Sequence, residues 1–230
     1  MKRHALVTGA GTGIGRAIAI ALAERGLTVH AVGRRQPPLE GLRQSAADLP
    51  GEVVVHVADA GVPGNLEDLL SGVEGRLEVA VASAGFFERG AVAELSPASW
   101  DAQVHGNLTT AFHTLKAVTT RMQSQEKIDG CAGHVFTLNS GAGVQGFPTG
   151  SAYAASKHGL RGLVESLRQE LTGTGVKLTD LVVSATVESE MSAGRDVPMI
   201  SPDAVAHTVT ACLDLGGIAT WDRVDISQLR

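Results

Sequence analysis

Residues 4–25 read HALVTGAGTGIGRAIAIALAER, a short strand pattern, a run of alternate glycines and a helical pattern in immediate succession. Gly9, Gly11, Gly13 and Gly15 allow a tight turn and a close approach of backbone to ligand. The helix that follows turns unpaired N–H groups and a partial positive charge toward the loop, which is what a pyrophosphate requires. Glycines set between a strand and a helix therefore predict a dinucleotide-binding unit, with Thr8, Gly9, Gly11, Thr12, Gly13, Ile14 and Gly15 against the cofactor.

The same alternation continues along the chain. Val-rich or β-branched runs at 28–33, 52–58, 77–83, 134–139, 177–184 and 220–226 add six strands to the one at 4–8. Helical patterns lie near 14–25, 39–48, 66–70, 96–122, 151–171 and 201–215. From Ser151 onward the period is plain, with Leu160, Leu163, Val164, Leu167 and Leu171 on one stripe. Strands alternating with helices mark a parallel sheet wrapped on both faces. In 230 residues there is no Pro- or Ser-rich linker and no internal repeat. The reading is a single doubly wound α/β domain over 1–230, with a mainly parallel seven-stranded sheet. Ligands of such sheets sit outside the carboxyl ends of the strands, so residues following the first, fourth and fifth strands converge on one crevice.

Composition narrows the function classes. The net charge of −5, from 19 basic and 24 acidic residues without long runs of one sign, leaves no basic footprint for nucleic acid. Cys131 and Cys212 belong to no CxxC or Cys/His cluster, so neither a disulfide framework nor a metal site is signalled, and a reducing cytoplasm fits. After Met1-Lys2-Arg3 the glycines and Arg16 interrupt any signal-peptide core, and no apolar run is long enough for a membrane span. Neither secretion nor membrane insertion is expected.

The end of the second strand selects the dinucleotide. An acid about 20 positions past the glycines binds the ribose 2′-hydroxyl of NAD. Here that place reads Val32-Gly33-Arg34-Arg35, with no carboxylate and two guanidiniums able to pair a 2′-phosphate. NADP(H) is expected over NAD(H). After the third strand, Asp59 is placed either to cap the next segment or to accept from an adenine amino group.

Tyr153, the sole tyrosine, is followed four residues later by Lys157, and on a helix these share a face. A phenol of ordinary pKa about 10 becomes a usable acid or base when a neighbouring ammonium favours its phenolate. Ser140 follows an apolar strand, so its hydroxyl emerges at a strand carboxyl end, where it can hydrogen-bond a substrate oxygen. Asn107 interrupts a helical pattern with a residue that competes for backbone bonds, and its amide is suited to hold a carbonyl and a water.

On these residues the chain resembles the short-chain dehydrogenase/reductase family, from Lys2 to about Met191. The family's TGxxxGxG is met by Thr8, Gly9, Gly13 and Gly15, its YxxxK by Tyr153 and Lys157, its upstream serine by Ser140 and its tetrad asparagine by Asn107. The resemblance implies that Tyr153 gives or takes the proton, Lys157 holds the nicotinamide ribose and lowers the tyrosine pKa, Ser140 polarises the carbonyl and Asn107 supports a proton relay. It also implies a Rossmann sheet and a homodimer or homotetramer built partly on the long helices. Ala84 and Gly85 keep half of the family's NNAG, whose two amides, which brace the central strand, are replaced by Ala82 and Ser83. Ser184-Ala185 stands where the family has Pro-Gly, ahead of Thr186 and Val187, which match the segment near the nicotinamide carboxamide.

Substrate choice is expected to depend on Phe86, Phe87, the loop Val144-Gln145-Gly146-Phe147 and the stretch 186–197. Ser140, Gln145, Phe147 and Tyr153 are the expected substrate contacts. Those segments are mostly apolar or small, with Arg195 the only cation in the last, so an uncharged or modestly polar carbonyl or alcohol in an open cleft is expected. Two rival readings use the same fold: a non-catalytic NADP-binding sensor or partner module, and a dehydratase or epimerase.

Overall fold

The structure is a computed structural model that describes residues 2–189, 192–194 and 196–229. Strands β1 (Arg3–Thr8), β2 (Thr28–Gly33), β3 (Glu52–Val57), β4 (Arg76–Ala82), β5 (Gly133–Ser140), β6 (Val176–Val183) and β7 (Arg223–Ile226) form one sheet in the order β3-β2-β1-β4-β5-β6-β7. Every adjacent pair is parallel, which sharpens the expectation of a mainly parallel sheet. The chain steps outward from β1 to β3, then returns to β4 and proceeds the other way. The strand order thus reverses between β1 and β4, and a crevice opens at their carboxyl ends.

Helices α1 (Gly13–Glu24), α2 (Gln36–Ser45), α3 (Asn65–Ser71), α4 (Pro97–Val104), α5 (Thr110–Gln123), α6 (Ser151–Glu170) and α7 (Pro202–Asp214) cover both faces. Alternate residues of β1 divide between two cores. Ala5 and Val7 pack with Ile18, Leu22, Leu39 and Val205 of α1, α2 and α7, while Leu6 joins Leu66, Leu115 and Leu160 of α3, α5 and α6. Burial on both sides explains why the strands read as near-continuous apolar runs. No described helix is long and apolar enough to cross a membrane.

Three boundaries depart from the sequence expectation. The helix expected at 39 begins at Gln36, because Pro37 and Pro38 occupy its first positions, where a missing N–H forfeits no helical bond. The strand expected at 220 begins at Arg223, because side chains capture the preceding carbonyls: Lys177 Nζ donates to Ala219 (2.8 Å) and Thr179 Oγ1 to Trp221 (2.6 Å). The helix expected over 96–122 is α4 and α5 joined by a π-helical turn at His105–Thr109. Thr110 N–H reaches back five residues to the His105 carbonyl, and Asn107 sits inside the turn.

Candidate active site

The glycine loop joins β1 to α1 with Gly9 and Gly13 at φ of +68° and +53°, a conformation L side chains rarely adopt. A Cβ on Gly9 would also come within 2.8 Å of Ala84 Cα. Thr12 is the N-cap of α1, no side chain caps it, and the first turn carries no acid. Its N–H groups therefore face the crevice without a protein partner from the cap, a cradle suited to phosphate. The brace expected to be lost with the amides is supplied by Thr8. Its hydroxyl donates to the Val81 carbonyl (3.4 Å) and accepts from the N–H groups of Ser83 (3.3 Å) and Ala84 (3.4 Å), tying the end of β1 to the end of β4.

Arg34 and Arg35 follow β2 and stand exposed on the same crevice wall. Asp59 lines that wall too, and its Oδ1 accepts from Gly61 N–H (2.8 Å), while its carbonyl accepts from Asn65 Nδ2 (3.0 Å). It thus shapes the turn into α3, though the N-cap of that helix is Gly64.

Ser140 is the last residue of β5; its N–H donates to Asn139 Oδ1 (2.9 Å) and its Oγ accepts from Ala142 N–H (3.2 Å). The following turn, Gly141–Gly143, lies hard on α6: a Cβ on Gly143 would meet Asn139 Oδ1 at 2.6 Å and the Lys157 carbonyl at 2.8 Å. α6 carries Tyr153 and Lys157 one turn apart on one face, with Lys157 Nζ 5.6 Å from the Tyr153 ring centre. The ammonium is buried and donates to the Leu138 carbonyl (2.8 Å). Burial pulls its pKa down from 10.5 to about 8, against the opposing attraction of Asp180.

Asn107 is buried beside this pair: a Cβ on Gly85 would lie 2.6 Å from Asn107 Oδ1 and 3.9 Å from Lys157 Nζ. Its amide bonds to backbone on both sides. Nδ2 donates to the carbonyls of Phe86 (2.9 Å) and Gln103 (2.8 Å), and Oδ1 accepts from Phe86 N–H (3.2 Å). The side chain thus locks the loop after β4 onto the π-turn.

The substrate side is an aromatic wall. Phe87 meets Tyr153 at a tilt (5.2 Å between centres) and Phe147 edge-on (5.6 Å), with the Arg89 guanidinium 5.9 Å from its ring centre. Gly90 N–H donates to the Thr149 carbonyl (3.0 Å), joining the loop after β4 to the loop that carries Gln145 and Phe147. On the far wall, Thr186 and Val187 are pinned by Ile200 N–H to the Thr186 carbonyl (2.9 Å) and by Ser192 Oγ to the Val187 carbonyl (2.7 Å). Glu190, Met191 and Arg195, which fall within the stretch 186–197, lie outside the described residues. The other singly named site residues except Thr8 line one open cleft of about 1200 Å³, to which the stretch 186–197 contributes Thr186, Val187, Ser189 and Ser192. Sequence reading missed Arg89, His105 and the buried Asp180; for Asp180 the signal was a lone acid in the apolar run LTDLVV.

A sequence profile described as short chain dehydrogenase matches residues 3–197. The chain belongs to the short-chain dehydrogenase/reductase family. This family member is 38% identical over 208 residues to an uncharacterized oxidoreductase of Myxococcus xanthus, covering 86% of this chain and 77% of that one. It is 29% identical to the 3-oxoacyl-(acyl-carrier-protein) reductase of Thermotoga maritima across 81% and 75% of the two chains. Among solved structures it is similar to an alcohol dehydrogenase from the archaeon Thermococcus sibiricus complexed with 5-hydroxy-NADP, with a TM-score of 0.85, 26% identity and coverage of 98% and 96%. Membership makes the chain an oxidoreductase of the hydride-transfer, nicotinamide-dependent kind.

Proposed function

We propose that this short-chain dehydrogenase/reductase is an NADPH-dependent carbonyl reductase in which Tyr153 is the proton donor. The observation that carries the reading is the buried Lys157 ammonium one helical turn from Tyr153, at the lip of the cleft that Ser140 also lines. The glycine loop and the first turn of α1 would hold the pyrophosphate, and Asp59 would accept from the adenine amino group. Arg34 and Arg35, exposed at the end of β2, would bind the 2′-phosphate. Support for NADP also comes from the archaeal alcohol dehydrogenase, whose structure holds 5-hydroxy-NADP. Ala84, Gly85, Thr186 and Val187 flank the nicotinamide, which when bound supplies the hydride.

The chain's own residues supply the proton. Ser140 Oγ donates to the substrate carbonyl oxygen and draws charge onto it, while Tyr153 delivers its phenolic proton to the same oxygen. Lys157 stabilises the phenolate left behind and binds the nicotinamide ribose. Asn107 keeps the π-turn and the Phe86 loop in register beside them. Phe147, Gln145 and Phe87 select an uncharged or modestly polar carbonyl. Exposed Trp100 on α4 and Phe112 on α5 support assembly into a homodimer or homotetramer through the long helices. Two free cysteines are consistent with a cytoplasmic location.

The test is NADPH absorbance followed over a panel of aldehydes and ketones with wild type and Tyr153→Phe. No second phenol exists to substitute for Tyr153, so kcat is expected to fall by roughly 10²–10⁴. NADPH affinity is expected to survive. Binding of NADPH without turnover of any carbonyl by wild type would favour the sensor reading instead.

A further inference from the structure

Asp180 lies in mid-strand β6, between β5 and β7, with 4% of its surface exposed. A buried carboxylate is costly unless donors and a cation surround it. Two donors converge on it from β5: Thr137 Oγ1 at 2.6 Å and Asn139 Nδ2 at 3.1 Å. The orientation of the Asn139 amide is fixed, because its Oδ1 accepts from Ser140 N–H. An amide at 180 would keep the Asn139 bond only by turning its oxygen there, so the Thr137 hydroxyl would have to accept instead of donate, and the charge at the centre of the cluster would be gone.

The charged groups around Asp180 are Lys157 from α6 and Arg223, with its partner Asp225, from β7; β5 contributes the uncharged Thr137 and Asn139. Arg223 is already held by Asp225 at 2.5 Å at the exposed edge. Lys157 donates to a neutral carbonyl and has no carboxylate in contact among the described residues, so its charge is left for Asp180 to balance across the cluster. We propose that Asp180 is a positioning residue of the proton-transfer machinery: its charge keeps Lys157 an ammonium inside the protein, and its hydrogen bonds, relayed through Asn139, fix the end of β5 that presents Ser140. This rests on the reading of Tyr153 and Lys157 given above.

The test reads Lys157 directly. With five lysines in the chain, carbon-labelled lysine NMR gives few signals, and Lys157→Arg assigns the one in question. Wild type is expected to titrate at about 8. Asp180→Asn is expected to titrate about one pH unit or more lower, and Thr137→Val, which removes a donor and leaves the charge, to match wild type. The alkaline limb of kcat/KM for carbonyl reduction is expected to move down with the lysine, with activity recovering on the acid side. If Asp180→Asn does not fold, the exchange Asp180→Asn with Asn139→Asp restores an acceptor opposite each donor and returns the charge to the cluster. Its lysine is expected within about half a unit of wild type. An unmoved lysine in Asp180→Asn, a displaced one in the exchange variant, or a rate loss equal at every pH overturns the assignment. A lysine that moves as expected in a protein that reduces no carbonyl overturns the reductase reading alone.

Discussion

On the β5–β6 side of the sheet a buried ammonium and a buried carboxylate balance one another, Lys157 and Asp180; on the β1–β3 side three histidines stand in a row, His4 and His30 buried and His56 half-buried. His4 Nδ1 lies 3.1 Å from His30 Nε2, and His30 Nδ1 lies 2.9 Å from His56 Nε2. The row is anchored where His4 Nε2 meets the Glu74 carbonyl at 2.9 Å. That carbonyl only accepts, so His4 Nε2 donates to it, and His30 Nε2 and His56 Nε2 donate in turn to His4 Nδ1 and His30 Nδ1. Burial acts in the same direction on both sides, lowering Lys157 from 10.5 to about 8 and His30 from 6.5 to about 4. At neutral pH the first stays charged and the second does not. The sheet thus keeps charge where chemistry uses it and hydrogen bonds without charge where the cofactor only needs a rigid floor.

The sharpest way to break this contrast is to remove the buried ammonium of Lys157. Lys157→Ala is expected to lower kcat by roughly 10²–10⁴ and to weaken NADPH binding as well, since the ammonium serves both phenol and ribose. Unchanged turnover and affinity would make the Tyr153 pair a coincidence of spacing. On the nucleotide side charge is confined to the rim, so Arg34→Ala is expected to cost NADPH about 1.5–3 kcal/mol, tenfold or more in Kd, with little change for NADH. Equal affinities for the two cofactors in wild type would remove the 2′-phosphate contact.

The smallest effect tests the histidine row. The folded state holds His30 and His56 below 6.5, so on the acid side the unfolded chain binds more protons. Stability present above about pH 6.5 is therefore lost as pH falls toward about 4. Allowing for solvent screening, denaturant midpoints are expected to report a loss of roughly 1–2 kcal/mol between about pH 7 and pH 5. His30→Phe is expected to flatten that slope while lowering stability at pH 7, because His4 and His56 each lose a partner. A slope unchanged in His30→Phe would mean that the acid sensitivity arises elsewhere, His134 being the next candidate.

What the sequence discloses and what it hides follow from the range of the forces involved. The loop from Thr8 to Gly15, the Tyr153–Lys157 pair and the place of Ser140 are legible because glycine spacing, helical period and strand ends are local. The π-turn is not, because Asn107 bonds the backbone of Phe86, 21 positions away. The late start of β7 is hidden for the same reason: Lys177 and Thr179 take carbonyls 42 positions distant. The lost amides after β4 read as a weakness only until Thr8 is seen bridging to Ser83 and Ala84 across the sheet. Asp180 lies between the two cases, a local anomaly whose meaning needed Asn139 and Lys157 beside it.

The turn at His105–Thr109 also sets the phase of the helix pair. One residue beyond the α-helical count rotates everything after it by about 100°, so two segments of a single rod present different azimuths. α5 consequently lays Ala111, Leu115, Val118 and Met122 on the sheet, while Gln103, at the end of α4, offers its carbonyl sideways to both Asn107 Nδ2 and Ser156 Oγ of α6. Deleting a residue here would not shorten a connection; it would turn one wall of the cleft relative to the other.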